Sequence, residues 1–301
     1  MNIFHRTQVI YNNATLNSYI NALVNMLGLI VALIIRYIVV ALEMNYAFLA
    51  IPIILTTLIP FLLKKYIFNK KQQATSISVG RYQRYYFFAG GSLVMSTLAI
   101  SFYTQINSLL LAALTSTREL GLYAAAVTLG MSWSFINASI ITSVLSRIYR
   151  EKNSYHSYIM VAKLNMIIFF ISLIAIVVLA VFGSWMLMLL YGDAYQSAYK
   201  LLIVLGLATM CSGLGTIISR LMIKEESYHY ISKKMIFVAV SALPISYIMI
   251  YFFGLKGAAY SVLFIELLSL TLFNYFYKDG LIFKIHFFPF FKDSLKSNYQ
   301  E

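Results

Sequence analysis

The chain has 301 residues, of which 61% are hydrophobic and only 11% are charged, and its formal net charge is +13. About a quarter of the residues of a soluble domain are charged, so this composition excludes an ordinary water-soluble protein and indicates an integral membrane protein. The basic residues lie in alternate loops between apolar segments, which argues against nucleic acid as a partner. A single cysteine, Cys211, and scattered histidines exclude an internal disulfide framework and a zinc site.

Eight apolar segments follow one another along the chain, and each approaches the ~20 residues that a helix needs to cross the hydrocarbon core of a bilayer. None alternates strictly between polar and apolar residues, which argues against a transmembrane β-barrel. We therefore predict an all-α polytopic transmembrane helix bundle of about eight spans. The predicted spans are residues 16–41, 46–63, 86–114, 121–145, 164–190, 201–222, 235–253 and 258–276.

The loops between these spans alternate in charge. One set of loops, together with the termini, holds nearly all of the 23 lysines and arginines, while the other set holds only Arg118, Lys200 and Lys256. The positive-inside rule assigns the basic set to the cytoplasm, so both termini of an eight-span bundle are predicted to be cytoplasmic. The tail from Lys278 is basic and rich in phenylalanine, and we predict that it lies along the anionic inner leaflet.

The first predicted span carries small and polar side chains every three or four residues, which places them on one helix face. Arg36 lies near the outer end of this stripe. Two interpretations stay open: Arg36 snorkels to the outer surface, or the stripe faces a cavity in which the arginine fork attracts a phosphate-containing ligand. The members of the stripe are Asn17, Asn21, Asn25, Gly28, Ala32 and Arg36.

A polar seam runs along the third predicted span. Unpaired polar groups are costly in lipid, so the seam is predicted to face either other helices or a wet cavity, and both interpretations remain open. The amide of Asn107 lies beside this seam. The seam itself consists of Thr97, Ser101, Thr104, Gln105 and Ser108.

Small residues fall at every fourth position of the fourth predicted span, and this spacing is typical of close helix packing. Trp133 and Asn137 border the same face. In the last span, Glu266 is the only acid near the middle of any span, and it is expected to be paired, protonated or facing water. A structural hydrogen bond and a proton-coupling role both remain open for Glu266. The small residues are Ala126, Gly130, Ser134, Ala138 and Thr142.

Three groups of motifs stand in order along the chain: Tyr103-x-Gln105-Ile106-Asn107 with Glu119-Leu120-Gly121-Leu122-Tyr123; Gly183-x-Trp185, Leu190-Tyr191-Gly192 and Tyr195-x-x-Ala198; and Gly254-x-x-Gly257-Ala258-Ala259. They resemble, in turn, the seventh-to-eighth helix region, the outer end of the ninth helix and the turn between the last two helices of Wzx-type polysaccharide flippases of the MATE-like superfamily. That family usually has aspartate where Asn107 stands, and this departure argues against a cation or proton at Asn107.

The resemblance implies a MATE-like fold of two bundles, in which the spans of this chain align with the fifth helix onward. Residues 1–84 are then the remnant of an N-terminal bundle, with two spans and a basic cytoplasmic loop. Residues 85–301 form a C-terminal six-helix bundle with a cytoplasmic tail. Because the first four helices of the family are missing, the chain alone is expected to leave one cavity wall open to lipid. It is then not expected to move substrate, and flipping by the chain alone would mean that a dimer of eight-helix units closes the cavity.

The resemblance also implies the function of a flippase. Such a protein moves undecaprenyl-pyrophosphate-linked oligosaccharide repeat units across the bacterial inner membrane by alternating access, for O-antigen or capsule assembly. The implied partners are this lipid-linked oligosaccharide, membrane lipids, a polysaccharide polymerase and chain-length proteins, and no cofactor is expected. Glu266 is the candidate for proton coupling. The candidates for substrate binding are Arg36, Asn21, Asn25, Gln105, Asn107 and Asn137.

Two other classes of protein fit the same pattern. A MATE-type drug or cation exporter would favour acidic residues in the cavity. A non-transporting fragment that only associates with partner membrane proteins would account for the missing helices. A membrane enzyme is not expected, because the sequence shows no glycine-rich phosphate loop, no paired cytoplasmic acids and no Ser-His-Asp set in one region.

Overall fold

The structure, a computed structural model, describes residues 18–45, 48, 50–71 and 80–288, and every regular element in these ranges is helical. This confirms the predicted all-α polytopic bundle. The chain divides into two compact units, Met1–Val79 and Gly80–Glu301. The helices are α1 Ser18–Ala41, α2 Ala50–Lys71, α3 Gly80–Leu114, α4 Thr117–Gly130, α5 Ser134–Arg150, α6 Ser154–Tyr191, α7 Tyr199–Lys224, α8 Tyr228–Leu270, α9 Leu272–Tyr275 and α10 Leu281–His286.

Seven helical stretches in the described ranges are long and apolar enough to cross a membrane. Their outer faces carry exposed large apolar side chains, such as Phe170 and Val181 on α6 and Phe252 on α8. In a bilayer these side chains contact lipid, while the helical backbone satisfies its own hydrogen bonds. The stretches correspond to the predicted spans, except that the last two predicted spans fall within the single stretch Tyr228–Tyr275.

The last stretch contains a reversal of the chain at Gly254. Its φ of 54° and ψ of −132° lie outside the helical region, and a glycine tolerates this positive φ without steric cost. In a continuous helix, Gly257 and Met249 would be about 12 Å apart, because eight residues separate them. Here a Cβ on Gly257 would lie only 1.9 Å from the carbonyl oxygen of Met249. Helix α8 is therefore two arms, residues 228–253 and 255–270, that pack against each other, as the predicted turn between two spans requires.

The fourth predicted span is also divided, at residues 131–133 between α4 and α5. The indole Nε1 of Trp133 donates to the carbonyl oxygen of Gly130 over 3.0 Å, and the Ser132 hydroxyl donates to that of Leu129 over 2.8 Å. Local bonds of this kind compete with the helical ladder, and Gly130 is a weak helix former. The break divides the small-residue seam into Ala126 and Gly130 on α4 and Ser134, Ala138 and Thr142 on α5.

The first unit consists of α1 packed on α2. A Cβ on Gly28 would lie 2.7 Å from the ring of Pro60, so only glycine allows this close approach. The ammonium of Lys64 on α2 donates to Oδ1 of Asn25 on α1 over 2.8 Å, and Lys64 is only 1% exposed. Lys64, which the sequence placed in a basic loop, is thus a buried helical residue that pairs with the polar stripe.

Two glycines make close helix contacts in the second unit, and one of them, Gly130, belongs to the predicted small-residue seam. Gly130 on α4 lies against Leu205 on α7, where an added Cβ would be 3.0 Å from the Leu205 Cβ. Gly183 on α6 lies against Leu202 on α7, where an added Cβ would be 2.7 Å from a Leu202 methyl. Small residues therefore bring α4 and α6 close to α7, in the manner of membrane helix packing.

The segment after the last span packs partly on the bundle. Leu281, Ile282 and Ile285 of α10 are buried in the apolar core that they share with Tyr158 of α6. Phe283 and Phe287 remain exposed, at 38% and 44%, so this segment keeps apolar surface that is not packed on the bundle. Residues 289–301 lie outside the described residues, and contact of the tail with the inner leaflet stays a prediction.

A carboxylate cluster holds this segment in place. Glu225, in the turn between α7 and α8, accepts hydrogen bonds from Tyr158 over 2.6 Å and Tyr277 over 2.5 Å, and Lys278 lies 2.8 Å away as an ion pair. Burial alone would raise the pKa of the Glu225 carboxyl, but the bonds from Lys278, Tyr158 and Tyr277 outweigh it and hold the pKa below its ordinary value. The cluster joins α6, the α7–α8 turn and the end of the last span.

Candidate functional site

A cavity of about 530 Å³ lies inside the second unit, between α3, α4, α5, α7 and the second arm of α8. Its volume is within the range of ligand-binding pockets, about 300–1,000 Å³. It is lined by both apolar and polar side chains, and the break between α4 and α5 brings Met131 and Ser134 to its wall. The polar side chains that line it are Tyr103, Thr104, Gln105, Asn107, Ser108, Tyr123, Ser134, Asn137, Thr209, Ser212, Thr216 and Glu266.

The polar seam of α3 lies partly on this cavity and partly on the exposed helix surface. Thr97 and Ser101 are exposed, and each hydroxyl donates to the carbonyl oxygen four residues earlier over 2.9 Å. Such bonds satisfy a hydroxyl within its own helix. Thr104, Gln105 and Ser108, one to two turns further on, line the cavity. The wet-cavity interpretation of the seam therefore applies to its second half.

Asn107 is buried in the cavity wall, with 1% of its surface exposed. Its Oδ1 accepts a 2.8 Å hydrogen bond from the Ser261 hydroxyl on the second arm of α8. The bond joins residues that are 154 positions apart in the sequence. Asn107 therefore connects α3 to α8 through its amide oxygen.

Glu266 lies on the second arm of α8 and lines the same cavity. Its Oε1 accepts a 3.0 Å hydrogen bond from the Tyr103 hydroxyl of α3, and Ser212 of α7 lines the cavity together with it. Lys234, on the first arm of α8, is close enough to interact with Glu266 electrostatically. The carboxyl is thus paired, as expected for an acid inside a membrane bundle.

Asn137 on α5 is a buried cavity residue whose amide has no internal partner among the described residues. It is only 3% exposed, and neither its Oδ1 nor its Nδ2 has a hydrogen-bond partner among the described residues. Gly213 on α7 makes room for this amide, since an added Cβ there would lie 2.8 Å from the Asn137 Nδ2. A buried unpaired amide is costly, and a polar ligand in the cavity would offset that cost.

The structure thus brings together four of the candidate site residues, Gln105, Asn107, Asn137 and Glu266. The other candidates lie in the first unit. Asn21 is buried against α2, Asn25 bonds to Lys64, and Arg36 is exposed on α1. Asn17 lies outside the described residues.

Sequence reasoning missed Lys234. It was assigned to a basic loop, but α8 begins at Tyr228 and Lys234 is 4% exposed inside the bundle. Its ammonium donates to Oδ1 of Asn274 over 2.8 Å. Lys234 and Asn274 are the same number of residues before and after Gly254 in the sequence. A search for polar residues at equal distances on the two sides of the predicted turn would therefore have found the pair.

Among the described residues, no group of three His, Cys, Asp or Glu side chains could hold a metal ion. Comparison with known proteins gives one match. The family described as "Polysaccharide biosynthesis protein" matches residues 2–200, which is more than half of the chain and includes the cavity walls from α3, α4 and α5. No curated protein and no solved structure matches the chain. The chain therefore belongs to the polysaccharide biosynthesis family of Wzx-like transporters that its helix motifs resemble.

Proposed function

We propose that the chain flips undecaprenyl-pyrophosphate-linked oligosaccharide repeat units across the bacterial inner membrane, for O-antigen or capsule assembly. The observation that carries this proposal is the cavity of about 530 Å³ between apolar helices of a polysaccharide transporter family. Its wall contains amides, hydroxyls and one carboxylate, which suit a polyhydroxylated ligand. The lipid carrier would remain outside the cavity, in contact with the exposed apolar side chains of the helices.

The first test is transport by purified chain in proteoliposomes. Lipid-linked oligosaccharide is placed in both leaflets, and the fraction accessible to an external glycosidase is followed over time. The proposal expects nearly all of the lipid to become accessible, against about half in protein-free vesicles. In cells, deletion of the gene should trap the same lipid on the cytoplasmic face. Unchanged exposure in both systems would contradict the proposal.

We also propose that the basic loops face the cytoplasm. The support is the positive-inside rule and the reversal at Gly254, which turns the last stretch into two crossings. In a Cys211→Ser background, cysteine at Lys152, between α5 and α6, should react only with a cytoplasmic reagent. Cysteine at Asp193, after α6, should react only from outside. Reaction of both from the same side would contradict this orientation.

Arg36, Asn21 and Asn25 are proposed as a second contact for the substrate. The exposure of Arg36 on α1 leaves its guanidinium able to approach a phosphate. Arg36→Ala should reduce transport strongly at unchanged membrane level, and Arg36→Lys should restore part of it. Arg118→Ala is the matched control, because Arg118 is also exposed and lies in the first turn of α4, on the side of the predicted topology that has few basic residues. Full transport by Arg36→Ala would leave only the snorkelling interpretation.

A proton-coupling role for Glu266 is proposed on its position in the cavity wall between Tyr103 and Ser212. Glu266→Gln keeps the shape of the side chain and removes its ability to exchange a proton. Transport by the parent chain should accelerate when a pH gradient is imposed, and transport by Glu266→Gln should not respond. An equal response of both chains would assign Glu266 a structural role only.

A cation exporter of the MATE type is the second candidate, and the observation that favours it is the Glu266 carboxylate in the cavity. The pairing of this carboxylate with Tyr103 and its interaction with Lys234 reduce its attraction for a free cation. Efflux of an organic cation from the same proteoliposomes, without movement of lipid-linked oligosaccharide, would select this function.

A further inference from the structure

We propose that the cavity holds the uncharged glycan of the substrate and not its diphosphate, and that the amide of Asn137 selects this glycan. The proposal rests on the proposed function and assigns the parts of its substrate to places. Some polar groups of the cavity wall can still form hydrogen bonds after the bonds within the protein are counted.

Three threonine hydroxyls of the wall can act only as acceptors. Thr104, Thr209 and Thr216 each donate their hydroxyl hydrogen to the carbonyl oxygen four residues earlier, over 2.8 to 2.9 Å. A hydroxyl has one hydrogen and two lone pairs, so after this donation each oxygen can only accept. A ligand that fits these positions must bring hydrogen-bond donors.

The charge of the wall has the same consequence. Glu266 is the only charged side chain among the residues that line the cavity, and it is an acid. Phosphate groups are bound by arginine, lysine or free backbone N–H groups, and the backbone N–H groups of interior helical turns are already bonded. A diphosphate, which is anionic and mainly an acceptor, would meet an acid and the threonine acceptors, with no cation among the lining residues to bind it. The hydroxyls of a neutral sugar can donate to these acceptors and can accept from the amides and the remaining hydroxyls of the wall.

Asn137 adds a donor and an acceptor at a buried position of the wall. Its amide offers a carbonyl acceptor and N–H donors side by side, both unpaired among the described residues, at 3% exposure. When the side chain turns toward the cavity that it lines, neighbouring hydroxyls of a sugar ring can donate to the oxygen and accept from the nitrogen at the same time. Gly213 packs against this amide, since an added Cβ there would lie 2.8 Å from the Nδ2.

The chain offers a matched control for Asn137. Asn165 on α6 is also a buried asparagine, 6% exposed, whose Oδ1 and Nδ2 have no partner among the described residues, but it does not line the cavity. Asn137→Leu and Asn165→Leu each replace an unpaired amide by an apolar group of similar size. Neither change leaves a polar group unpaired, so both variants should fold.

The fluorescence of Trp133, which lies one turn before Asn137, reports binding of a ligand in the cavity. In a Trp185→Phe background the full chain has only this tryptophan, and the adjacent residues Met131 and Ser134 line the cavity. The probes are the oligosaccharide released by mild acid from the lipid-linked material of the native host, inorganic pyrophosphate, undecaprenyl diphosphate without glycan, and tetraphenylphosphonium as a cation without hydroxyls. Each is titrated into purified chain in detergent at constant ionic strength.

The released oligosaccharide should change the Trp133 fluorescence with saturation, and the other three probes should not. Asn137→Leu should weaken this binding by about tenfold or more, as expected for loss of paired hydrogen bonds. Asn165→Leu should leave the affinity unchanged. Equal binding of pyrophosphate, undecaprenyl diphosphate or the cation would overturn the proposal, as would parental affinity in Asn137→Leu or no response to the oligosaccharide.

Failure of this inference can be told apart from failure of the proposed function. Transport in proteoliposomes tests the function, whereas the fluorescence titration tests only where the glycan lies. Transport together with a response to undecaprenyl diphosphate alone would keep the flippase and reject the glycan site. Binding of the oligosaccharide that Asn137→Leu abolishes, without any transport, would keep the site and reject the flippase.

Discussion

The hydroxyl of Tyr103 donates a 3.0 Å hydrogen bond to Oε1 of Glu266, and the two residues lie on α3 and on the second arm of α8. The bond fixes the carboxyl against the cavity wall and joins two helices that are distant in sequence. Because Glu266 is buried, the bond replaces part of the hydration that the acid loses. It therefore contributes both to the stability of the bundle and to the shape of the cavity.

Tyr103→Phe should lower the free energy of unfolding in detergent by about 1.5–3 kcal/mol, the range for a hydrogen bond to a charged group. In a double-mutant cycle with Glu266→Gln, the effects should be less than additive, because Glu266→Gln replaces the charged acceptor of this bond by a neutral amide oxygen, so Tyr103→Phe then removes a weaker bond. Thermal unfolding of the four proteins measures the cycle. Tyr123→Phe, on the α4 wall of the cavity, is the control and should be additive with Glu266→Gln. Additive effects in the Tyr103 cycle would mean that the bond contributes little.

Gly213→Ala should reduce transport while the protein remains folded. Its Cβ would lie 2.8 Å from the Asn137 Nδ2, so the amide must move into the cavity. Gly215→Ala on the same helix is the control, because nothing lies within 4 Å of its added Cβ. Transport and unfolding temperature are measured for both variants. An equal loss of transport in both would indicate an effect on helix flexibility in place of an effect on the amide.

Gly257→Ala should prevent folding of the last two crossings. The added Cβ would lie 1.9 Å from the backbone oxygen of Met249, and a backbone atom cannot move away without opening the turn. Gly90→Ala on α3, with nothing within 4 Å of its Cβ, should change stability by less than about 1 kcal/mol. The yield of monodisperse protein after membrane extraction measures the outcome. Parental yield of Gly257→Ala would show that the two arms of α8 are not in contact at this position.

The Glu225 cluster predicts a defined loss of stability in acid. The folded-state pKa of this carboxyl is below its ordinary value of 4.5, so its stabilisation is complete above that value and is lost as the pH falls through the lower, folded pKa. The unfolding temperature of the parent should therefore fall on acidification below about pH 4.5. The unfolding temperature of Glu225→Gln should be lower than that of the parent at neutral pH, and it should fall less on acidification. A parallel decline of parent and variant would show that other carboxyls cause the acid sensitivity.

Composition and periodicity determined much of this protein. The apolar segments were long enough to predict the membrane helices, and Gly254-x-x-Gly257 indicated the turn that the backbone makes. The order of the motifs indicated the family that matches residues 2–200. These features are local, because a helix and its faces depend on residues within a few turns of one another.

The tertiary structure decided which polar groups are paired. Asn107, Asn137 and Asn165 have the same side chain, yet Asn107 is bonded to Ser261 whereas Asn137 and Asn165 have no partner among the described residues. Likewise, Lys64 and Lys234 resemble loop lysines in the sequence but are buried and bonded to asparagines on other helical segments. The partner of a buried polar group comes from a helix that is far away in the sequence, so its presence depends on how the helices pack. For the same reason, only the packing of α3, α4, α5, α7 and α8 could show that Gln105, Asn107, Asn137 and Glu266 line one cavity.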